Sequence, residues 1–128
     1  MNAATAGKVY PEVPFTVDPE RVRAFRAVFD EPGGVPATFA TAAEFTVIPS
    51  VVADPELGLD FTRVLHGNQE YEFRRPLEEA ESLVIRSRID SIREIAGNGF
   101  LVLVTELVDP DGEVVCVGRS TLIERAES

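Results

Sequence analysis

The stretch "GFLVLVTELVD", Gly99 to Asp109, constrains the fold of this chain more than any other. Its first residues are apolar at consecutive positions and rich in β-branched side chains. A strand of that kind is covered on both faces, so it belongs in the middle of a sheet. The flanking segments supply its neighbours. In "SLVIRSRIDSIREI" (82–95), Leu83, Ile85 and Ile89 alternate to one face, opposite Arg86, Arg88 and Asp90. After a tight "PDG" turn (Pro110 to Gly112), "EVVCVGRSTLIER" (113–125) reads as a long last strand with a bulge expected at Gly118. Upstream, "QEYEFR" (69–74) puts Tyr71 and Phe73 on one face and Glu70, Glu72 and Arg74 on the other.

The first half of the chain has a different period. "VPFTV" (13–17) reads as a short strand, Asp18 as a helix N-cap and Pro19 as a first-turn residue. Val22, Phe25, Val28 and Phe29 then recur at helical spacing and form one apolar face. The glycines and prolines of "EPGGVP" (31–36) stop that helix near Asp30. In "ATFATAAEFTVIPSVV" (37–52), Phe39, Ala42, Ala43, Thr46 and Val47 follow helical offsets with few charges anywhere, which predicts a helix buried on most sides and bent or ended at Pro49. Residues 1–9 are small and polar enough to be loose, leaving one domain over 10–125. The order of elements gives an α+β class: an antiparallel sheet wrapped around a central apolar helix, the hot-dog arrangement.

Charge narrows the function. The net charge of −10 argues against nucleic acid as a partner. Eleven of the twelve basic residues are arginines, and Arg63, Arg74, Arg75, Arg86 and Arg88 gather around one stretch of sequence. Arginine forks suit phosphate, so a phosphorylated ligand and a solvated strand face both remain open. The lone Cys116 excludes an intrachain disulfide, and one cysteine with one histidine makes no metal-ligand set. No apolar run nears the roughly 18 residues of a membrane span. The opening residues lack a signal-peptide pattern, so a cytoplasmic protein is expected.

A family resemblance rests on "VLHGNQEYEFRRPL" followed by "EEAESLVIRSRIDSI" (64–92). This resembles the strand-opening motif of the N-terminal, non-catalytic hot-dog half of MaoC-like dehydratases. "YPEVPFTVDPERVRAFRAVF" (10–29) and "VPATFA" (35–40) are similar to the opening of the same half. The resemblance implies a hot-dog subunit of a (3R)-hydroxyacyl-thioester dehydratase or enoyl-thioester hydratase. It implies no cofactor beyond the coenzyme A or acyl carrier protein that carries the substrate. The partner it implies is a second hot-dog chain, in a homodimer or a heterodimer with a catalytic subunit. The catalytic half of the family carries an Asp and a His in a segment resembling G-D-x-N-P-x-H. "FDEPGGVPATF" (29–39) has Asp30 and Glu31 but neither histidine nor asparagine, and is short for the loop expected there.

His66, the only histidine, therefore has two readings. As a general base it would exploit an imidazole that titrates near neutrality. As part of an "HGN" turn it would hydrogen-bond locally, with Gly67 supplying a backbone angle closed to other residues. The absence of a nearby orienting acid favours the second reading, structural or ligand-lining. Glu44 on the expected central helix is the other candidate, since a carboxylate there could attack a thioester as in some hot-dog thioesterases. The substrate-binding set expected is His66, Gly67, Arg63, Arg74 and Arg75. A third possibility is a non-enzymatic acyl-thioester-binding homodimer. Dimerisation is expected from the apolar surface of "FLVLVTELV" beside an alanine-rich helix.

Overall fold

The computed structural model describes residues 1–29 and 33–127. Five strands form one antiparallel sheet: β1 (Val9–Thr16), β2 (Val64–Phe73), β3 (Ser82–Ile95), β4 (Asn98–Val108) and β5 (Val114–Glu124), in the order β1-β3-β4-β5-β2. The helices α1 (Pro19–Phe29), α2 (Ala40–Glu44) and α3 (Ile48–Val52) belong to the first half of the chain. This is the expected single hot-dog domain, with β4 at the centre and β1 and β2 as the edges. Alternation along β3 buries Leu83, Ile85 and Ile89 as the sequence implies.

Several local expectations are corrected. The first strand begins at Val9, well before "VPFTV". Residues 1–8 are packed: Ala3–Thr5 form a helical turn capped by the Asn2 side chain, the Asn2 N–H donates to the Leu57 carbonyl, and the Gly7 N–H donates to that of Ile89. Helix α1 buries Val22 and half-buries Phe25, but leaves Val28 and Phe29 exposed, so its apolar face is only partly covered. Asp30 and Glu31 lie outside the described residues.

The central helix is interrupted. Proline has no N–H to donate to the carbonyl four residues back, so a helix running from Ala40 cannot pass through Pro49 unbroken. The chain turns over Phe45–Val47, where the Thr46 hydroxyl donates to the Ala43 carbonyl at 2.6 Å. Pro49 then falls in the first turn of α3, where proline is tolerated. Burial is one-sided: Phe39, Ala43, Glu44, Val47 and Val51 face the sheet, while Phe45 stays 64% exposed. The expectation of a helix covered on most sides fails at that residue.

The sheet face beneath these helices carries a transverse polar band. In register across four strands lie Ser87, Thr105, Gly118 and Tyr71. The band separates two apolar clusters, one containing Ile85, Leu107 and Cys116, the other Ile89, Leu103 and Leu122. Gly118 is not at a bulge, because the irregularity of β5 falls where Leu107 and Val108 of β4 pair. In β4, Leu101, Leu103, Val104, Leu107 and Val108 are buried and Phe100 and Val102 half-buried, so this strand leaves little of the apolar surface from which dimerisation is expected. Among the described residues, the exposed large apolar side chains are Val9, Val28, Phe29, Phe45, Phe61, Leu65 and Ile95.

Candidate functional site

A cavity of about 280 Å³ opens between the broken helix and the β5–β2 edge of the sheet. Its apolar wall includes Phe45, Ile48, Val52, Phe61, Val64 and Leu122. Glu44, Gln69 and Ser120 give it a polar floor, with Thr41 and His66 also on its lining. That volume lies near the lower limit of small-molecule sites, roughly 300–1,000 Å³. The exposed rim, Phe45 and Phe61, borders the unpaired edge of β2.

The floor is built by strand alternation and one helical position. Ser120 shares its face of β5 with Cys116 and Leu122, and Gln69 shares its face of β2 with Tyr71 and Phe73. Glu44, only 2% exposed, comes down onto them from the last turn of α2. Gln69 Nε2 donates to Glu44 Oε1 at 2.8 Å, and Ser120 Oγ donates to Glu44 Oε2 at 2.8 Å. The Ser120 hydroxyl also meets Gln69 Oε1. Tyr71 and Thr41 join hydroxyls at 2.6 Å beside this group. Burial pushes the Tyr71 hydroxyl well above its ordinary range, and the Glu44 carboxylate adds to that rise. Burial, with the same carboxylate, pushes the Cys116 thiol up to about 12, which keeps it an inert thiol at neutral pH.

The expected site residues are only partly assembled. Glu44 and His66 both line the cavity. The "HGN" segment is strand, not turn: His66, Gly67 and Asn68 lie within β2, at a bulge opposite Leu122 and Thr121. Gly67 does not have a positive φ. A Cβ there would approach Ile123 Cδ1 to 2.6 Å, a contact with the far end of a flexible side chain that can turn aside. His66 is exposed. Among the described residues, the only carboxylate lining the cavity is Glu44, and both its oxygens are engaged by Gln69 and Ser120.

The arginines do not converge. Arg63 precedes β2 and Arg74 follows it, and ten strand residues between them span roughly 30 Å. Arg63 bonds Asp60 at 3.0 Å and lies 3.7 Å from Glu124, while Arg75 pairs with Glu81. Arg86 and Arg88 pair with Glu12 and Glu106. A single phosphate site made of Arg63, Arg74 and Arg75 is not what this geometry provides.

Gln69 and Ser120 were missing from the sequence-based set. Their signal was available: each is a polar residue in phase with the inward-facing positions of its strand. Gly118 carries a related signal, since a Cβ there would stand 3.2 Å from Glu44 Oε1.

The family model for the FAS1-like dehydratase domain region matches residues 4–117. A UPF0336 protein of Saccharopolyspora erythraea is 32% identical over 143 residues, covering 98% of this chain and 92% of its own length. That stretch is longer than the 128 residues here, so the relative carries insertions this chain lacks. Among solved structures, the HadBC (3R-hydroxyacyl-ACP dehydratase) complex of Mycobacterium tuberculosis superposes with a TM-score of 0.76 at 22% identity, over 93% of this chain and 96% of the other. A MaoC-like dehydratase superposes with a TM-score of 0.81 at 23% identity, over 96% of this chain and 43% of the other. The chain belongs to the FAS1-like dehydratase domain region family.

Proposed function

We propose that this member of the FAS1-like dehydratase family is the acyl-binding hot-dog subunit of a (3R)-hydroxyacyl-thioester dehydratase or enoyl-thioester hydratase, and that a second hot-dog chain supplies the catalytic Asp and His. The observation that carries the reading is the cavity: six apolar side chains around an opening at an unpaired sheet edge, with a lone exposed histidine at its lining. Apolar walls take an acyl chain, and each buried methylene contributes about 0.8 kcal/mol. Addition of water to an enoyl thioester needs a group that takes a proton from water and another that holds it in place. Among the described residues, the cavity offers His66 no free carboxylate to orient it, because Glu44 is held by Gln69 and Ser120. The small volume and the exposed Phe45 and Phe61 fit a site that a second chain completes, with the thioester arriving on coenzyme A or an acyl carrier protein.

The test is reconstitution. The chain is mixed with a hot-dog protein carrying the Asp/His segment, and hydration of 2-enoyl-coenzyme A is followed with each alone and both together. The reading expects a complex whose turnover exceeds that of the dyad-bearing chain alone on acyl groups long enough to reach this cavity. A partner whose rate is indifferent to this chain contradicts it.

Glu44 on the cavity floor keeps thioester hydrolysis as a second reading. Two hydrogen bonds and 2% exposure leave that carboxylate poorly placed to attack. Release of free thiol from acyl-coenzyme A by the chain, lost in Glu44→Gln, would favour hydrolysis over the subunit reading.

A further inference from the structure

Phe45 lies between two apolar hollows. On one side is the cavity against the β5–β2 edge of the sheet. On the other, α1 and α2 enclose a groove of about 430 Å³. Among the described residues, the lining of the groove is apolar apart from Arg21 and Thr41. Phe25, Val28, Phe39 and Ala42 belong to the groove and not to the cavity. Thr41 and Phe45 line both. The Phe45 N–H donates to the Thr41 carbonyl at 3.0 Å, so the two stand one helical turn apart. Side chains at that spacing share a face, and these two form a ridge between the hollows.

The two members of the ridge are held differently. Thr41 is tied down, its hydroxyl meeting that of Tyr71 at 2.6 Å. Phe45 is 64% exposed and pairs with no other ring among the described residues, so its replacement breaks no aromatic contact. The wall of the groove beyond it is firm, with Phe25 packed edge-on against Phe39 at 5.5 Å between centroids. A run of methylene groups that fills the cavity toward α2 therefore meets one ring. Past that ring the apolar surface continues.

We infer that Phe45 sets the length of acyl chain this subunit accepts, by closing the cavity off from a groove that would otherwise take the end of the chain. The inference rests on the acyl-binding reading above and adds a size limit to it. Continuity of the two hollows across a single side chain assigns the groove, once that ring is removed, to the acyl end and not to a protein partner. Phe45 is a specificity residue in this account and takes no part in the reaction.

Calorimetric titration of the purified full chain tests this, with saturated acyl-coenzyme A from butanoyl to dodecanoyl in two-carbon steps. While the acyl group lengthens within the cavity, each step should tighten binding about tenfold. At the length that reaches Phe45 the gain should stop. In Phe45→Ala the gain should continue past that length, at about threefold per step because the groove covers only one side of the chain. The shortest thioesters should bind that variant about threefold more weakly, for want of contact with the ring. A general loss of structure would weaken all lengths alike and would not produce this crossing. Val28→Asp, at a position 78% exposed, places a charge in the groove. In the Phe45→Ala background it should return the limit to the parent's length. Phe45→Leu should move the limit the same way by a smaller step, and serves if the alanine variant does not fold. A limit unmoved by either substitution overturns the inference and leaves acyl binding intact, as does an unaltered chain that gains at every step. An extension that survives Val28→Asp puts the acyl end outside the groove, and the inference fails. If no thioester binds the unaltered chain, the acyl-binding reading itself falls.

Discussion

Gly118 of β5 lies directly beneath Glu44, and a Cβ built at that position would stand 3.2 Å from Oε1 and 3.3 Å from Cδ of the carboxylate. Tyr71 crowds the same point, with Cε1 also at 3.2 Å. Glu44 cannot easily withdraw, being tied to Gln69 and Ser120. Glycine inside a strand ordinarily costs about 0.5–1 kcal/mol relative to alanine, so the position gives up strand stability to admit the carboxylate.

Gly118→Ala is accordingly expected to destabilise the domain by about 1–2 kcal/mol, the overpacking loss exceeding the entropic gain. Chemical denaturation measures it. A variant as stable as the parent, or more so, would mean that the helix rises off the sheet without loss.

Gly67→Ala should change stability by no more than about 0.5 kcal/mol, since the position is exposed. The added methyl meets Ile123 Cδ1 at 2.6 Å and Cγ1 at 3.2 Å, a side chain that can turn aside. Ile123→Val deletes the nearer atom, and a double-mutant cycle should show the small effect to be coupled to it. A loss of about 1 kcal/mol or more that Ile123→Val does not relieve would place the restriction in the backbone.

The pH dependence of stability should include a limb from Asp54. The hydrogen bond from Lys8 Nζ at 2.7 Å, with that from the Tyr10 hydroxyl at 2.8 Å, lowers the Asp54 carboxyl from 3.8 to about 2. The unfolded chain then binds the proton more readily than the folded one. The contribution is complete above about pH 4 and is lost as pH falls toward 2. Denaturant titrations between pH 5 and pH 2.5 should show a shallower acid limb in Asp54→Asn. Equal limbs in both proteins would contradict the assignment.

The sheet was legible in the sequence because period-two burial is written directly into segments such as "SLVIRSRID". The break in the central helix was half legible: Pro49 marked the place, but the sequence pattern did not show whether it would close one helix or open the next. The "HGN" segment misled for a specific reason. A glycine can mark a turn with positive φ or simply lie in a strand, and only the pairing of β2 with β5 distinguishes them. Arginines close in sequence were read as a cluster, yet β2 separates them and nearby carboxylates pair most of them. Glu44 was identified from its helix alone. Its partners come from 25 and 76 residues away, distances over which no spacing pattern operates.

The most direct measurement follows hydration of a 2-enoyl-coenzyme A by the purified chain alone, with His66→Ala beside it. No turnover above the buffer rate is expected from either protein. In a complex with an Asp/His-bearing partner, His66→Ala should leave activity within about tenfold, because loss of a positioned general base costs about 10²- to 10⁴-fold. Turnover by the single chain that disappears in His66→Ala would make His66 the base and contradict the account.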